Sequence, residues 1–240
     1  MNFIVTGCSF TAGIIPLPHD NPSQWEQRGS VWPHFCYSKM NLKEDSFLNL
    51  AIPGAGNIAA LSNLIYYLET NKPPTDQTII GFNITGLDRL DTIRDITEPH
   101  NTDLCCIDPT DIVHPSYTLG FGWETSATKH KVFKINILNC NSSKILNCLV
   151  ILQAITYLDH AGYNYFFMLM NNEIYNNAPE WCKKVLDQRK KRWVRFDNIV
   201  GMQEFAQANN LLISETDWHP NTNGHKLIAS YVIKHLSNYE

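Results

Sequence analysis

"NFIVTGCSFTAG", residues 2–13, runs from an unbroken apolar stretch straight into a turn of glycine and small side chains. A short apolar run with no polar alternation is the pattern of a strand buried on both faces, as in a parallel sheet. Gly7 then permits a tight exit. The same strand-then-turn pattern recurs along the chain. "SFLNLA" (46–51) is followed by "IPGAGN", "QTIIGFNI" (77–84) by "TGLDR", and "LLIS" (211–214) by "ETDWHPNTNGH". "YNYFFMLM" (163–170) is a further buried run.

Helical spacing fills the intervals. In "IAALSNLIYYLET" the apolar positions Ile58, Leu61, Leu64, Ile65 and Leu68 fall on one face. "VWPHFCYSKM" (31–40), "SSKILNCLVILQAITYLDHAG" (142–162), "GMQEFAQANN" (201–210) and "HKLIASYVIKHL" (225–236) also read as helices, with Gly162 a C-terminal stop. Alternating strands and helices predict an α/β fold, a parallel sheet of five strands covered on both faces. The 240 residues make one domain, 1–240, with an irregular insertion at about 92–140, rich in turn formers and aromatics. Ligands of such sheets bind at the carboxyl ends of the strands. The turns quoted above are therefore where chemistry is expected.

Composition narrows the classes. A hydrophobic fraction of 44% with 18% charged residues describes a globular chain. The net charge of −4 predicts no nucleic-acid partner. The basic cluster "KKVLDQRKKRW" (183–193) reads as a solvated helix face. No apolar run reaches the ~18 residues of a membrane span, and "MNFIVTG" lacks the basic start and long apolar stretch of a signal peptide. The seven cysteines (8, 36, 105, 106, 140, 148 and 182) contain no CxxC. They read as reduced core thiols of a cytoplasm-like compartment, with no metal site and no cofactor expected.

The turns carry the residue types of acyl-transfer chemistry. Cys8 is intrinsically the stronger nucleophile at neutral pH. Ser9 needs a base to take its proton. His219 is a candidate base, and Asp217 is the nearest acid to orient it. An oxyanion needs hydrogen-bond donors, for which the Ser9 N–H, the Gly54 N–H and the Asn83 amide are candidates.

Together these segments resemble the blocks of the SGNH (GDSL-type) hydrolase superfamily. "GCSFTAG" resembles its GDSxTxG block, with Ser9 at the nucleophile position and Cys8 where the family carries Asp. "NLAIPGAGN" resembles the second block, with Gly54 at the oxyanion glycine. "GFN" resembles GxND, with Asn83 at the oxyanion asparagine and Ile84 in place of the following Asp. "DWHPNTNGHKLIA" resembles the last block, with His219 as base. There the family's acid stands three residues before His, whereas Asp217 stands two before. Thr85 and Arg89 of "TGLDR" are second candidates, for the site or for holding its loop. The resemblance implies a three-layer α/β/α sandwich of flavodoxin-like form. It also implies a serine esterase acting through an acyl-enzyme on an ester or O-acetyl group of a small molecule or carbohydrate, with no cofactor. An O-acyltransferase using the same site, or a non-catalytic binding module on the same fold, are the alternatives.

Overall fold

Phe3, Ile4 and Val5 are all buried, because β1 (Asn2–Thr6) lies inside a sheet covered on both faces. The computed structural model describes residues 1–12, 31–52, 55–87, 90–93, 116–119, 141–214 and 217–238. The sheet has the order β2-β1-β3-β6, with β2 (Phe47–Asn49), β3 (Thr78–Ile84) and β6 (Asn164–Leu169). All three pairings are parallel. Register places Val5 beside Gly81 and Gly81 beside Phe166.

Side chains alternate across the sheet, so neighbouring residues report its two faces. Thr6 Oγ1 donates to the Ala60 carbonyl at 3.0 Å, tying one face to α3 (Asn57–Asn71). Next to it α4 (Asn141–Ala161) packs on α3. On the other face the Phe166 ring lies under Gly81, where a Cβ would come within 2.5 Å of it. Phe166 meets Trp32 edge-on, with ring centroids 6.0 Å apart. Trp32 begins α2 (Trp32–Lys39), which packs against α8 (Thr222–Ser237). The result is helix, sheet and helix in three layers. Three smaller helices follow β6 in the chain: α5 (Asn172–Asn176), α6 (Glu180–Gln188) and α7 (Met202–Ala208).

The long helix α4 ends as its sequence announces. Gly162 takes φ +78. The Gly162 N–H reaches Asp159 O and the Tyr163 N–H reaches Leu158 O, the paired closure of a Schellman motif. The basic cluster falls on α6 and the short 3-10 turn Lys190–Arg192, with Lys184, Lys190 and Lys191 exposed. Cys8, Cys36, Cys148 and Cys182 are buried thiols. No helix among the described residues is long and apolar enough to cross a membrane.

One expectation is corrected. The sheet has four strands, not five, because "LLIS" does not join it. Leu212 makes a single antiparallel bridge to Pro220 instead. The outer edge of β6 is occupied by residues 193–201, through isolated parallel bridges Phe167–Trp193 and Leu169–Gly201. Between them the chain folds on itself, Phe196 and Ile199 exchanging backbone bonds around Asp197 at φ +55. That tight turn prevents a continuous fifth ladder. Of the region 92–140, the described pieces include the antiparallel pair β4 (Leu90–Ile93) and β5 (Ser116–Leu119). Most of the expected insertion lies outside the described residues.

Candidate active site

The exit from β1 is shaped by Gly7. Its φ of +149 is a conformation L side chains rarely adopt, and a Cβ there would meet Asn83 Cβ at 2.8 Å and Thr11 Oγ1 at 2.9 Å. The chain then enters α1 (Ser9–Ala12), with the Thr11 and Ala12 N–H groups both on Cys8 O. Asn49 fastens this turn from the side. Its Nδ2 donates to Thr11 O at 3.0 Å, and its Oδ1 accepts the Ala51 N–H at 3.1 Å. Ser9 is thereby held at the carboxyl end of β1.

The partner loop comes from the far end of the chain. The segment expected as a fifth strand forms one arm of a narrow hairpin. Leu211 O accepts the Asn221 N–H at 2.7 Å, and the Ile213 N–H donates to His219 O at 2.9 Å. At its tip Ser214 Oγ accepts the Asp217 N–H at 2.9 Å. Asp217 Oδ1 accepts the His219 backbone N–H at 3.1 Å, the local i to i+2 bond of an Asx turn. The same oxygen lies 2.6 Å from His219 Nδ1. This turn explains how an acid two residues before the histidine reaches the imidazole. The other ring nitrogen, Nε2, lies 2.7 Å from Ser9 Oγ. Ser9, His219 and Asp217 thus form one continuous line of hydrogen bonds.

Electrostatics follow from that geometry. The bond from the His219 ring holds the Asp217 carboxyl below the usual carboxylate range, helped by the His219 backbone N–H and opposed by partial burial. The charged form of Asp217 is thus favoured beside the imidazole.

No family model and no curated protein sequence matches the chain. Solved structures do. TesA aligns over 99% of this chain and 99% of its own, at 11% identity and a TM-score of 0.52. LAE5, described as an alpha/beta hydrolase enzyme from the metagenome of Lake Arreo, Spain, aligns over 98% of this chain and 94% of its own, at 11% identity and a TM-score of 0.50. The chain has an SGNH hydrolase-like fold.

Within this SGNH hydrolase-like fold Asn83, Cys8 and Thr85 also fall among the described residues. Asn83 is buried on β3. Its Oδ1 accepts the Cys8 thiol at 3.5 Å, and its Nδ2 donates to Met202 Sδ at 3.1 Å. The amide expected to face an oxyanion is therefore engaged by a thioether. Cys8, fully buried, also lies 3.9 Å from Met170 Sδ and packs where the resemblance would place a carboxylate. Thr85 is buried, its Oγ1 without a hydrogen-bond partner among the described residues. Gly54 and Arg89 lie outside the described residues.

Sequence reasoning missed the brace behind this loop. Asn57, at the start of α3, accepts the Thr85 N–H at 2.8 Å and donates to Thr85 O at 3.1 Å. It also donates to Asn147 Oδ1 at 3.0 Å, and Asn147 donates to Leu87 O at 3.0 Å. The signal was an asparagine closing "PGAGN" at a helix start. Phe10 was missed too. Its ring packs on the His219 imidazole, with centroids 4.7 Å apart.

His225, in the first turn of α8, is buried, and burial pushes its imidazole down to about 3, with the neighbouring His219 adding to the shift. The folded chain therefore refuses a proton that the unfolded chain accepts below 6.5. Stability carries no such penalty above pH 6.5 and loses about 1.4 kcal/mol per unit as pH falls from there toward 3. Between pH 7 and pH 5 urea unfolding should show a loss of about 2 kcal/mol from this residue. His225→Phe should remove that part of the pH dependence. His34 and His235, also lowered mainly by burial, retain theirs. An unchanged pH slope in the variant would refute the assignment.

Proposed function

We propose that the chain is a serine ester hydrolase, acting on an ester or O-acetyl group of a small molecule or carbohydrate through an acyl-enzyme. The observation that carries this reading is the line Ser9 Oγ, His219 Nε2, His219 Nδ1 and Asp217 Oδ1, at 2.7 and 2.6 Å. The likeness in fold to LAE5, described as a hydrolase, is consistent with it.

In this mechanism His219 Nε2 takes the Ser9 proton as Oγ attacks the carbonyl carbon. The carbonyl π pair moves to oxygen, and the oxyanion is met by the Ser9 N–H, which lies in the first helical turn where no intrahelical acceptor exists. Asp217 stabilises the imidazolium. The tetrahedral intermediate collapses, the C–O bond breaks, and His219 returns the proton to the leaving alcohol. Water then gives a proton to His219 and attacks the acyl-enzyme carbonyl; as the second tetrahedral intermediate collapses and its bond to Ser9 Oγ breaks, His219 passes that proton to Oγ and the acid is released. A non-catalytic binding module is the second reading, favoured by the engagement of the Asn83 amide with Met202.

A serine-reactive phosphonate separates the two. Wild type should gain one adduct, located on Ser9 by peptide mass mapping, and Ser9→Ala none. Ser9→Ala should also lose activity on p-nitrophenyl acetate by at least a thousandfold. Wild type that takes no label and turns over no ester in a panel of acyl lengths would establish the binding module instead.

A further inference from the structure

We propose that Phe10 is a positioning residue for the His219 imidazole, an inference that rests on the hydrolase reading of the same site. Hydrogen bonds at Nδ1 and Nε2 fix the two ends of the ring. Being soft contacts, they still allow small excursions of the ring about its Cα–Cβ and Cβ–Cγ bonds. Phe10 supplies the missing restraint. Its ring centroid lies 4.7 Å from that of His219 at an interplanar angle of 34°. Phe10 is itself only 5% exposed, so its ring is a packed wall and not a loose surface group.

The wall and the nucleophile sit on adjacent residues of α1, a single turn closed by two N–H groups on Cys8 O. One displacement of this turn would therefore move Oγ and the wall together, keeping the His219–Ser9 contact in register. The side chain of His219 is 28% exposed, so part of the ring remains open to a reactant. An aromatic face within about 6 Å also attracts a cation, and proton transfer from Ser9 turns the imidazole into one. Phe10 thus favours the state the reaction must pass through, beyond holding the ground state in line.

The test uses Phe10→Leu, which keeps apolar bulk and removes the flat ring, and Phe10→Ala, which removes both. Three readouts are taken on the full chain. In steady-state hydrolysis of p-nitrophenyl acetate, Phe10→Leu should lower kcat about tenfold and Phe10→Ala about a hundredfold, with KM changed less than twofold. Phosphonate labelling of Ser9 should slow by the same factors. In proton NMR the His219 Nδ1–H, bonded to Asp217, should give a far-downfield signal, assigned by its loss in Asp217→Asn and broadened in Phe10→Leu. Circular dichroism confirms that each variant folds. Phe10→Leu with wild-type labelling rate and an unchanged downfield signal would overturn the positioning role. Should wild type take no label, the hydrolase reading falls, and the NMR comparison still decides whether Phe10 orders the ring.

Discussion

Asp217→Asn should lower kcat on p-nitrophenyl acetate by a factor on the order of 10⁴, with KM little changed. The substitution keeps the size of the side chain and an oxygen able to accept the His219 backbone N–H. It removes the charge that the geometry places 2.6 Å from Nδ1. The imidazolium formed on proton transfer loses its counter-ion, and an amide N–H presented to Nδ1 favours the wrong tautomer. Because Asp217 is held ionised by the same bond that orients the ring, one change removes both contributions. Steady-state kinetics check this, with circular dichroism to verify the fold. A fall of less than tenfold would mean that Ser9 and His219 work as a dyad, oriented by the hairpin backbone alone.

The second large effect is on stability. Asn57→Ala should destabilise the chain by about 3–5 kcal/mol and lower Tm by roughly 10 °C. Asn57 is 1% exposed and satisfies both the N–H and the carbonyl of Thr85. Alanine leaves those two backbone groups buried without that partner, and removes the donor that Asn57 supplies to Asn147 Oδ1. An unpaired buried polar group costs about 1–3 kcal/mol. Asn57→Asp should fare little better, because it keeps the acceptor, loses the donor and buries a charge beside the Thr85 carbonyl. Chemical denaturation with equal m-values gives the comparison. A loss under 1 kcal/mol would show that the loop after β3 is held by other means.

What could be read from sequence was what local chemistry dictates. Phe3–Val5, Ile79–Phe82 and Tyr165–Leu169 are apolar runs that only a doubly covered sheet can bury, and they form its β1, β3 and β6. Ser9, Asp217 and His219 were legible because each stands in a turn after an apolar run, and the structure brings the three together. Misreading began where one local pattern serves two structures. Three apolar residues in "LLIS" suit a strand, yet they form a hairpin arm, since the hairpin takes the backbone bonds that a ladder would need. Asn83 was placed on the right strand, but the direction of its amide depends on Cys8 and Met202, which are 75 and 119 residues away. The Asn57–Asn147 brace joins positions 90 residues apart, and no local pattern announces a partner at that range.

The Asx turn at Asp217 has a consequence for how the molecule reports on itself. The acid and the base are two residues apart and belong to one local turn, so their pairing asks little of the rest of the chain. The base and the nucleophile are 210 residues apart, and their contact requires β1 and α8 to be in place together. Partial opening of the sheet would leave the Asp217–His219 pair intact while parting it from Ser9. Loss of phosphonate labelling during mild denaturation therefore times the separation of the two chain ends, while the downfield imidazole proton times the melting of the hairpin.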